Sequence, residues 1–141
     1  MIEALKLIDM IESADNADYW YDDRREIASH IFKQLNHEEF HFLQNNWHEQ
    51  SDEWKCRFAT ILNMRETIET ATILTKIMQS EIYNTAVTAM YELDDFEDIG
   101  IIRKIEGLKK ILHDFDDRFG SQSNYRSHYI GVLSQLAENA N

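Results

Sequence analysis

The sequence contains no proline, only four glycines and a single cysteine, Cys56. At an average usage of about 5%, a chain of this length would hold roughly seven prolines. Folds made of short strands need proline and glycine at their many turns, so a β-sandwich or another loop-rich fold is excluded. One cysteine cannot form a disulfide within the chain, and the fold must therefore depend on its hydrophobic core.

Clustered basic residues are also missing. The chain has 14 Lys+Arg against 26 Asp+Glu, a formal net charge of -12, and its longest basic clusters are the pairs Arg24-Arg25 and Lys109-Lys110. Proteins bind nucleic acid through clustered Lys and Arg that neutralise phosphates. Nucleic acid is therefore excluded as a partner, and a basic protein is favoured.

Long apolar runs are absent as well. No run approaches the roughly 20 apolar residues of a membrane-spanning helix, and an acidic surface is repelled by anionic lipid, so a membrane is excluded as a partner. Residues 1–6 lack the basic segment and long apolar stretch that begin a secretory signal. We therefore expect the protein to lie in the cytoplasm.

The sequence is rich in apolar residues at helical spacing. Hydrophobic residues make up 43% of the 141, which is enough for one packed domain over residues 1–141. They recur at i, i+3 and i+4 along nearly the whole chain, which predicts an all-α fold of about eight helices. The predicted helices cover about residues 2–12, 19–35, 38–47, 51–62, 66–79, 80–93, 96–113 and 125–136.

Several local features follow from this pattern. Ser80-Glu81 is predicted to begin the helix that contains Ile82, and residues 96–113 are predicted to form one unbroken helix. Residues 114–124 are expected to be an insertion between helices. Cys56 lies in sequence beside apolar Trp54 and Phe58, so we expect it to be a small buried hydrophobe.

An internal repeat with a period of 31 residues runs through these helices. Three columns of apolar residues keep one register, namely Ile27, Phe58 and Ala89, then Ala28, Ala59 and Met90, then Ile31, Leu62 and Leu93. A spacing of 40 adds a fourth copy with Tyr129, Ile130 and Leu133. The repeat-like helices lie near residues 20–35, 52–63, 81–93 and 124–138. A chance similarity between helices of equal length is the alternative, but the repeat is the better account.

A helix pair that recurs in this way cannot bury its apolar face alone, so the pairs should stack into a short array. We predict antiparallel helix pairs around one continuous core that holds Ile27, Ile31, Phe58, Leu62, Ala89, Leu93 and Leu133. Such arrays present broad surfaces to partners. The exposed columns are expected to be Asp22, Glu53 and Asn84, followed by Ser29, Thr60 and Tyr91.

The residues of common catalytic sites are present only in fragments. Glu38-x-x-His41 is half of the ligand set of a di-iron bundle, and a second copy on another helix is missing. Cys56 lacks a glycine turn or loop that would expose it as a nucleophile. No glycine-rich phosphate loop or nucleophile elbow occurs in the sequence. We therefore predict no enzyme activity, no metal and no cofactor.

Aromatic residues interleaved with acids are the clearest binding signal. Tyr and Trp are frequent hot spots of protein interfaces, and carboxylates around them would steer a cationic partner. Acids kept only for solubility are the alternative. The predicted partner-binding residues are Asp18, Tyr19, Trp20, Tyr21, Asp22 and Asp23 at a helix start, Glu53 and Tyr91 in the exposed columns, Asp94, Asp95, Glu97 and Asp98 at a helix junction, and Asp114, Asp116 and Asp117 in the insertion.

Residues 20–95 resemble the small all-α, HEAT-like immunity proteins of bacterial polymorphic-toxin and contact-dependent growth inhibition systems. The resemblance is carried by Arg24-x-x-Ile27-Ala28-x-x-Ile31, Trp54-x-x-Arg57-Phe58-Ala59-x-x-Leu62 and Ala86-Val87-x-Ala89-Met90-x-x-Leu93. The 31-residue period is shorter than the roughly 40 or more residues of standard HEAT repeats.

This resemblance implies a cytoplasmic protein that binds one cognate toxin domain, often a nuclease, and blocks it by occupying or covering the active site. The acidic surface would replace the phosphates that a basic nuclease grips. The alternative function is a helical-repeat adaptor or scaffold that binds a peptide or protein subunit. The position of the gene would separate them, because an immunity gene lies directly after its toxin gene.

Overall fold

Helices form where the sequence places apolar residues at three- and four-residue spacing. A computed structural model describes residues 2–14, 19–122 and 124–141, and in these residues it contains α-helices and no strand. The nine α-helices of this part of the chain are α1 (Ile2–Glu12), α2 (Arg25–Gln34), α3 (His37–Asn46), α4 (Asp52–Leu62), α5 (Ile68–Ile77), α6 (Tyr83–Asp94), α7 (Ile99–Arg103), α8 (Leu108–Phe119) and α9 (Tyr125–Asn139). A π-helical turn, Trp20–Arg24, precedes α2, and a 3-10 turn, Trp47–Glu49, follows α3.

Side-chain caps explain where four of the helices begin. Asn36 accepts a hydrogen bond from the main-chain N–H of Glu39 at 2.8 Å at the start of α3. The N-cap hydroxyls of Ser51 and Thr67 do the same for α4 and α5, and the carboxylate of Asp98 does it for α7. These bonds satisfy main-chain N–H groups that have no partner within a helix.

Three predicted helix boundaries are wrong. The predicted helix over residues 96–113 is two helices, α7 and α8, because Gly107 between them has a φ of 70°, a left-handed conformation that favours glycine. Residues 114–119 belong to α8 and are not an insertion. Ser80 does not begin α6, which starts at Tyr83 with Ile82 as its N-cap residue.

Four helices form a row that follows the order of the repeat. Helix α2 packs against α4, α4 against α6, and α6 against α9. Helix α1 packs against α2 and α4, and α5 packs against α4 and α6, while α7 and α8 both contact α9. The helices that contain the repeat columns are therefore neighbours in space, as stacking of the repeats predicts.

Most of the predicted core is confirmed. Phe58, Leu62, Ala89 and Leu93 have no exposed surface, as is also true of the whole column Ala28, Ala59 and Met90. Leu133 and Ile31 are half-buried and pack against the core from its edge.

The prediction for Ile27 is wrong, because its side chain is 54% exposed. In α4 and α6 the preceding helix of the row packs against one flank of the helix. Helix α2 is the first of the row, so the equivalent flank, where Ile27 lies, has no such neighbour. The core-facing residues of α2 are Ala28 and Phe32, four residues apart and therefore on one face of the helix. Position 27 lies one residue away from that face.

None of the helices in the described residues has both the length and the apolar composition that crossing a lipid bilayer requires.

Candidate functional site

A groove of about 430 Å³ is one of the concave surfaces of the described residues. It lies where the π-helical turn before α2 meets the N-terminal halves of α4 and α6. We call it the row groove, because it crosses three neighbouring elements of the helix row. The residues that line it are Trp20, Tyr21, Asp52, Glu53, Cys56, Arg57, Ile82, Asn84 and Thr85.

Apolar side chains with large exposed surfaces lie at both sides of the row groove. Tyr21 in the π-helical turn is 51% exposed, and Ile82 at the start of α6 is 53% exposed. Trp20 has no exposed surface, and its indole Nε1 donates a hydrogen bond of 3.0 Å to Thr60 Oγ1. Trp20 was predicted to contact a partner, but a fully buried ring cannot do so. It supports the groove from below.

The charged pair in the row groove has a fixed orientation. Arg57 is buried, and its Nη1 donates to the main-chain oxygen of Ile11 at 2.9 Å. Its Nη2 donates to Glu53 Oε1 at 2.6 Å, while the Glu53 side chain remains 74% exposed. A guanidinium bonded at both ends holds the carboxylate of Glu53 at the solvent side of the groove.

Asp52, the first residue of α4, connects two walls of the row groove. Its carboxylate accepts a hydrogen bond of 2.8 Å from the hydroxyl of Ser80 and a short one from the hydroxyl of Thr85. Asp52 thereby joins the start of α4 to the start of α6. The two helices that form the groove walls are connected by polar contacts as well as by their apolar packing.

Cys56 faces the row groove and is half-buried, which corrects the prediction of a buried hydrophobe. Its thiol lies 3.9 Å from the main-chain oxygen of Asn84 and 3.6 Å from Thr88 Oγ1 on α6. Burial raises the pKa of the Cys56 thiol, against the smaller effect of hydrogen bonds from Thr88 and Thr85. At neutral pH the thiol is therefore protonated and weakly nucleophilic.

Glu92 on α6 is an unusual residue that the sequence analysis missed. Burial raises its pKa to about 7, against the lowering effect of the Arg25 charge, and its Oε2 is a buried atom without a hydrogen-bond partner. The repeat contained a signal for it. Position 92 lies 31 residues after Ile61, which is fully buried, so a carboxyl group occupies a position that is apolar in the preceding copy.

The predicted residues of the helix start are divided among different environments. Tyr19 is half-buried with the Arg24 guanidinium 4.9 Å from its ring centroid, and Asp22 and Asp23 are exposed on the same turn as Tyr21. Asp18 lies outside the described residues. Of the described residues of this predicted cluster, only Tyr21 and the buried Trp20 belong to the row groove.

Tyr91 is exposed in part but has a structural role. Its hydroxyl donates a hydrogen bond of 2.6 Å to the main-chain oxygen of His128. The bond joins α6 to α9 and continues the row of helices. Tyr91 is absent from the lining of the row groove, to which the predicted residue Glu53 belongs.

The predicted acidic cluster between α6 and α7 is mostly solvent-facing. Asp95, Glu97 and Asp98 are exposed, whereas Asp94 is half-buried and burial raises the pKa of its carboxyl. Asp98 is also the N-cap residue of α7, and its own main-chain N–H donates to Glu66 Oε1 at 3.0 Å.

The third predicted cluster is occupied by contacts within the chain. Asp114 pairs with Lys110 at 2.8 Å, and Asp117 pairs with His113 at 3.3 Å. Asp116 accepts hydrogen bonds from Arg126 Nε at 3.1 Å and from the hydroxyl of Tyr129. These carboxylates stabilise α8 and its contact with α9, and their position in a helix corrects the expectation of an insertion between helices.

Most of the arginines hydrogen-bond to main-chain oxygens at the C-terminal ends of helices. Five of the seven arginines donate to main-chain oxygens there. Main-chain carbonyls at a helix end have no partner within the helix and carry partial negative charge. The contacts run from Arg24 and Arg57 to α1, from Arg65 to α2, from Arg25 to α4, and from Arg118 to α5.

The Glu38-x-x-His41 fragment noted in the sequence lies on α3. In the residues that the structure describes, no group of three His, Cys, Asp or Glu side chains has the geometry of a metal site. Glu38 and His41 are exposed on α3, and His41 Nε2 lies 3.2 Å from Asn45 Nδ2.

No protein-family model, no curated protein and no solved structure matches this chain.

Proposed function

We propose that this protein is an immunity protein, which binds a cognate bacterial toxin domain in the cytoplasm and neutralises it without catalysis. The toxin would be a basic protein, in particular a nuclease. The acidic surface would cover the active site or the substrate groove of the toxin, in place of the nucleic acid phosphates that such a site attracts.

The use of the arginines is the observation that carries this proposal. Five of seven bind main-chain oxygens at helix ends, and of these only Arg57 forms an ion pair with a carboxylate among the described residues. The chain has a formal net charge of -12, and five of its 14 basic residues are used at helix ends inside the fold. The surface that a partner meets is therefore dominated by carboxylates, which favours a cationic partner.

The arrangement of the helices is the second support. A row of four packed helices, with the row groove across three of its elements, offers a broad and rigid surface of the kind on which helical arrays bind proteins. Exposed Tyr21 and Ile82 add the apolar surface that a stable interface needs at its centre.

Rescue of a cell from the toxin tests the proposal most directly. The protein encoded directly upstream of this gene is expressed in a bacterium, with and without this chain. We expect toxicity without the chain, growth with it, and a complex with nanomolar or tighter affinity. Absence of rescue, together with absence of binding at micromolar concentration, would contradict the immunity function and favour the adaptor function.

The rate of association tests the role of charge. We expect it to fall by about 10-fold or more between about 20 mM and about 500 mM salt, because salt screens electrostatic steering. Replacing Asp94, Asp95, Glu97 and Asp98 by their amides should slow association and weaken its salt dependence. Asparagine at position 98 can still cap α7, so the variant should keep its fold. An association rate that salt does not change would contradict steering by the acidic surface.

A further inference from the structure

The row groove combines an apolar surface with a negatively charged one. Its sides are apolar, at Tyr21 and Ile82, and its solvent edge carries the carboxylate of Glu53. Asp52 adds a second carboxylate, although its oxygens already accept hydrogen bonds from the hydroxyls of Ser80 and Thr85. A ligand must therefore offer apolar surface along its length and positive charge at its end.

Anionic and purely apolar ligands fit this groove poorly. Arg57 is its lining cation, and both terminal nitrogens of that guanidinium are engaged, one by Ile11 and one by Glu53. An anion would compete with the Glu53 carboxylate for this guanidinium and would also meet the charge of Asp52. An apolar ligand would bury the Glu53 carboxylate beside it without adding a cation, which costs free energy.

From these contacts we infer that the row groove receives a lysine or arginine side chain of the partner protein. The aliphatic stem lies between Tyr21 and Ile82, where it covers apolar surface. The charged end bonds the exposed carboxylate of Glu53. This inference rests on the proposed function for the existence of a basic partner protein, but the affinity of the groove for a cation can be measured without that partner.

A small probe tests the groove alone. The uniformly 15N-labelled protein is titrated with Nα-acetyl-arginine methylamide while amide chemical shifts are followed by NMR. Nα-acetyl-citrulline methylamide is the matched control, because its side chain has the same length and no charge. We expect saturable shifts at Tyr21, Glu53, Cys56 and Ile82 with the arginine probe, and much weaker ones with citrulline. Equal shifts with both probes, or arginine shifts only at other acidic surfaces, would overturn the inference.

Substitutions assign the roles of the two surfaces. Glu53→Gln keeps an oxygen that can accept from Arg57 but removes the charge, and we expect the dissociation constant of the arginine probe to rise by about 3-fold or more. Tyr21→Ala should weaken both probes. Glu97→Gln is the matched control, because it removes one exposed carboxylate outside the groove, and it should leave the probe affinity unchanged. An equal loss in the Glu97 and Glu53 variants would indicate general charge attraction and overturn the inference.

Cys56 allows the groove to be blocked chemically, because it is the single cysteine of the chain and faces the groove. A bulky maleimide is attached at mildly alkaline pH, since burial raises the pKa of the thiol. The control carries the same label at exposed position 104, as Lys104→Cys in a Cys56→Ser background. We expect the label at position 56, but not at 104, to abolish binding of the arginine probe and of the upstream toxin.

The outcomes separate the two proposals. If the toxin still binds the protein labelled at Cys56, the inference about the groove is wrong and the immunity function stands. If the unlabelled protein binds no toxin, the immunity function fails, and the NMR titration by itself decides whether the groove takes a cationic side chain.

Discussion

Two regions of the molecule hold their carboxylates in different ways. Around the row groove, Arg57 connects Glu53 to the end of α1 and leaves the glutamate largely exposed. In the C-terminal region of α8 and α9, Asp114 and Asp116 pair with Lys110 and Arg126, and Asp117 lies 3.3 Å from the imidazole of His113. The Glu53 side chain is 74% exposed, whereas that of Asp116 is 28% exposed and accepts hydrogen bonds from both Tyr129 and Arg126. Similar residue types are therefore more open to a partner at the groove than at the contact between α8 and α9. A cluster of acids in a sequence does not reveal which of these two states it has.

The aromatic residues of the two regions also differ in how exposed they are. In the C-terminal region Tyr83 stacks on Tyr125 with ring centroids 3.6 Å apart, and Phe115, Phe119 and Tyr129 pack around them. Near the row groove, Tyr21 remains exposed while Trp20 is buried beneath it. The C-terminal rings strengthen the core, and one ring at the groove is left for contact.

The largest expected effect concerns the core below the row groove. Phe58→Ala should lower the free energy of unfolding by about 3–5 kcal/mol, because Phe58 is fully buried and packs on Trp54 and Phe32. Ile27→Ala is the matched control at the equivalent repeat position and should change it by less than about 0.5 kcal/mol. Urea unfolding measures both. A similar loss in both variants would show that α2 is covered on the flank where Ile27 is now exposed.

A smaller effect is expected for the arginine of the row groove. Arg57→Met should lower the free energy of unfolding by about 2–3 kcal/mol, because it removes a hydrogen bond to the buried end of α1 and the partner of Glu53. Arg103→Met, at an exposed arginine at the end of α7, should stay within about 0.5 kcal/mol. Equal values in thermal or urea unfolding would contradict a structural role for helix-end arginines.

The next prediction concerns Asp116, the carboxylate that bonds both Tyr129 and Arg126 in the C-terminal region. Asp116→Asn should cost about 1 kcal/mol, because the hydrogen bonds from Tyr129 and Arg126 are strongest to a charged acceptor. The hydrogen bond from the Tyr129 hydroxyl is the main cause that lowers the pKa of Asp116. The stabilisation should thus be present above the usual pKa of aspartate and disappear as the pH falls through the lowered value. Unfolding measured between about pH 6 and pH 2 follows this loss.

Asp114→Asn is the control for this experiment, because its partner Lys110 is also exposed. Its effect should be smaller than that of Asp116→Asn at every pH. A larger effect for Asp114 would mean that the contact between α8 and α9 depends on the surface pair and not on Tyr129.

The smallest expected effect concerns Glu92, on the helix that contacts both regions. Burial raises its pKa from 4.5 to about 7, so the folded state holds this proton more tightly than the unfolded state. Stability should therefore fall as the pH rises from about 4.5 to about 7. Glu92→Gln should remove this part of the pH dependence and stabilise the protein by about 0.5–1 kcal/mol at pH 8, a small value because the carboxyl is partly exposed.

Exposed Glu97 supplies the matched control. Glu97→Gln should leave the free energy of unfolding within about 0.5 kcal/mol of the wild type at pH 5 and at pH 8. If Glu92→Gln behaves in the same way, the carboxyl of Glu92 is not desolvated in solution.

Much of the architecture could be predicted from periodicity, and the limits of the prediction have identifiable causes. Capping residues such as Ser51 set helix starts because they act over three residues. The break at Gly107 was missed, because apolar spacing continues across it and glycine is tolerated within helices. The state of Ile27 could not be predicted from its column, since exposure depends on whether another helix covers that flank.

The candidate site was predicted only in part. Tyr21 and Glu53 were expected to contact a partner, and both lie at the row groove. Cys56 was expected to be a buried hydrophobe and Ile82 only to belong to a helix, because helical spacing does not distinguish a residue at the rim of a groove from one below it.

The sequence by itself determined the helical class, the repeat and the acidic charge, because local spacing and composition depend on neighbouring residues and on counts. The tertiary structure alone decided which charges and rings are free. Arg57 reaches the end of α1, 46 residues earlier in the sequence, and Trp20 reaches Thr60, 40 residues later. Such contacts depend on how distant helices meet in space, and the exposure of Glu53 and Tyr21 at the row groove is their consequence.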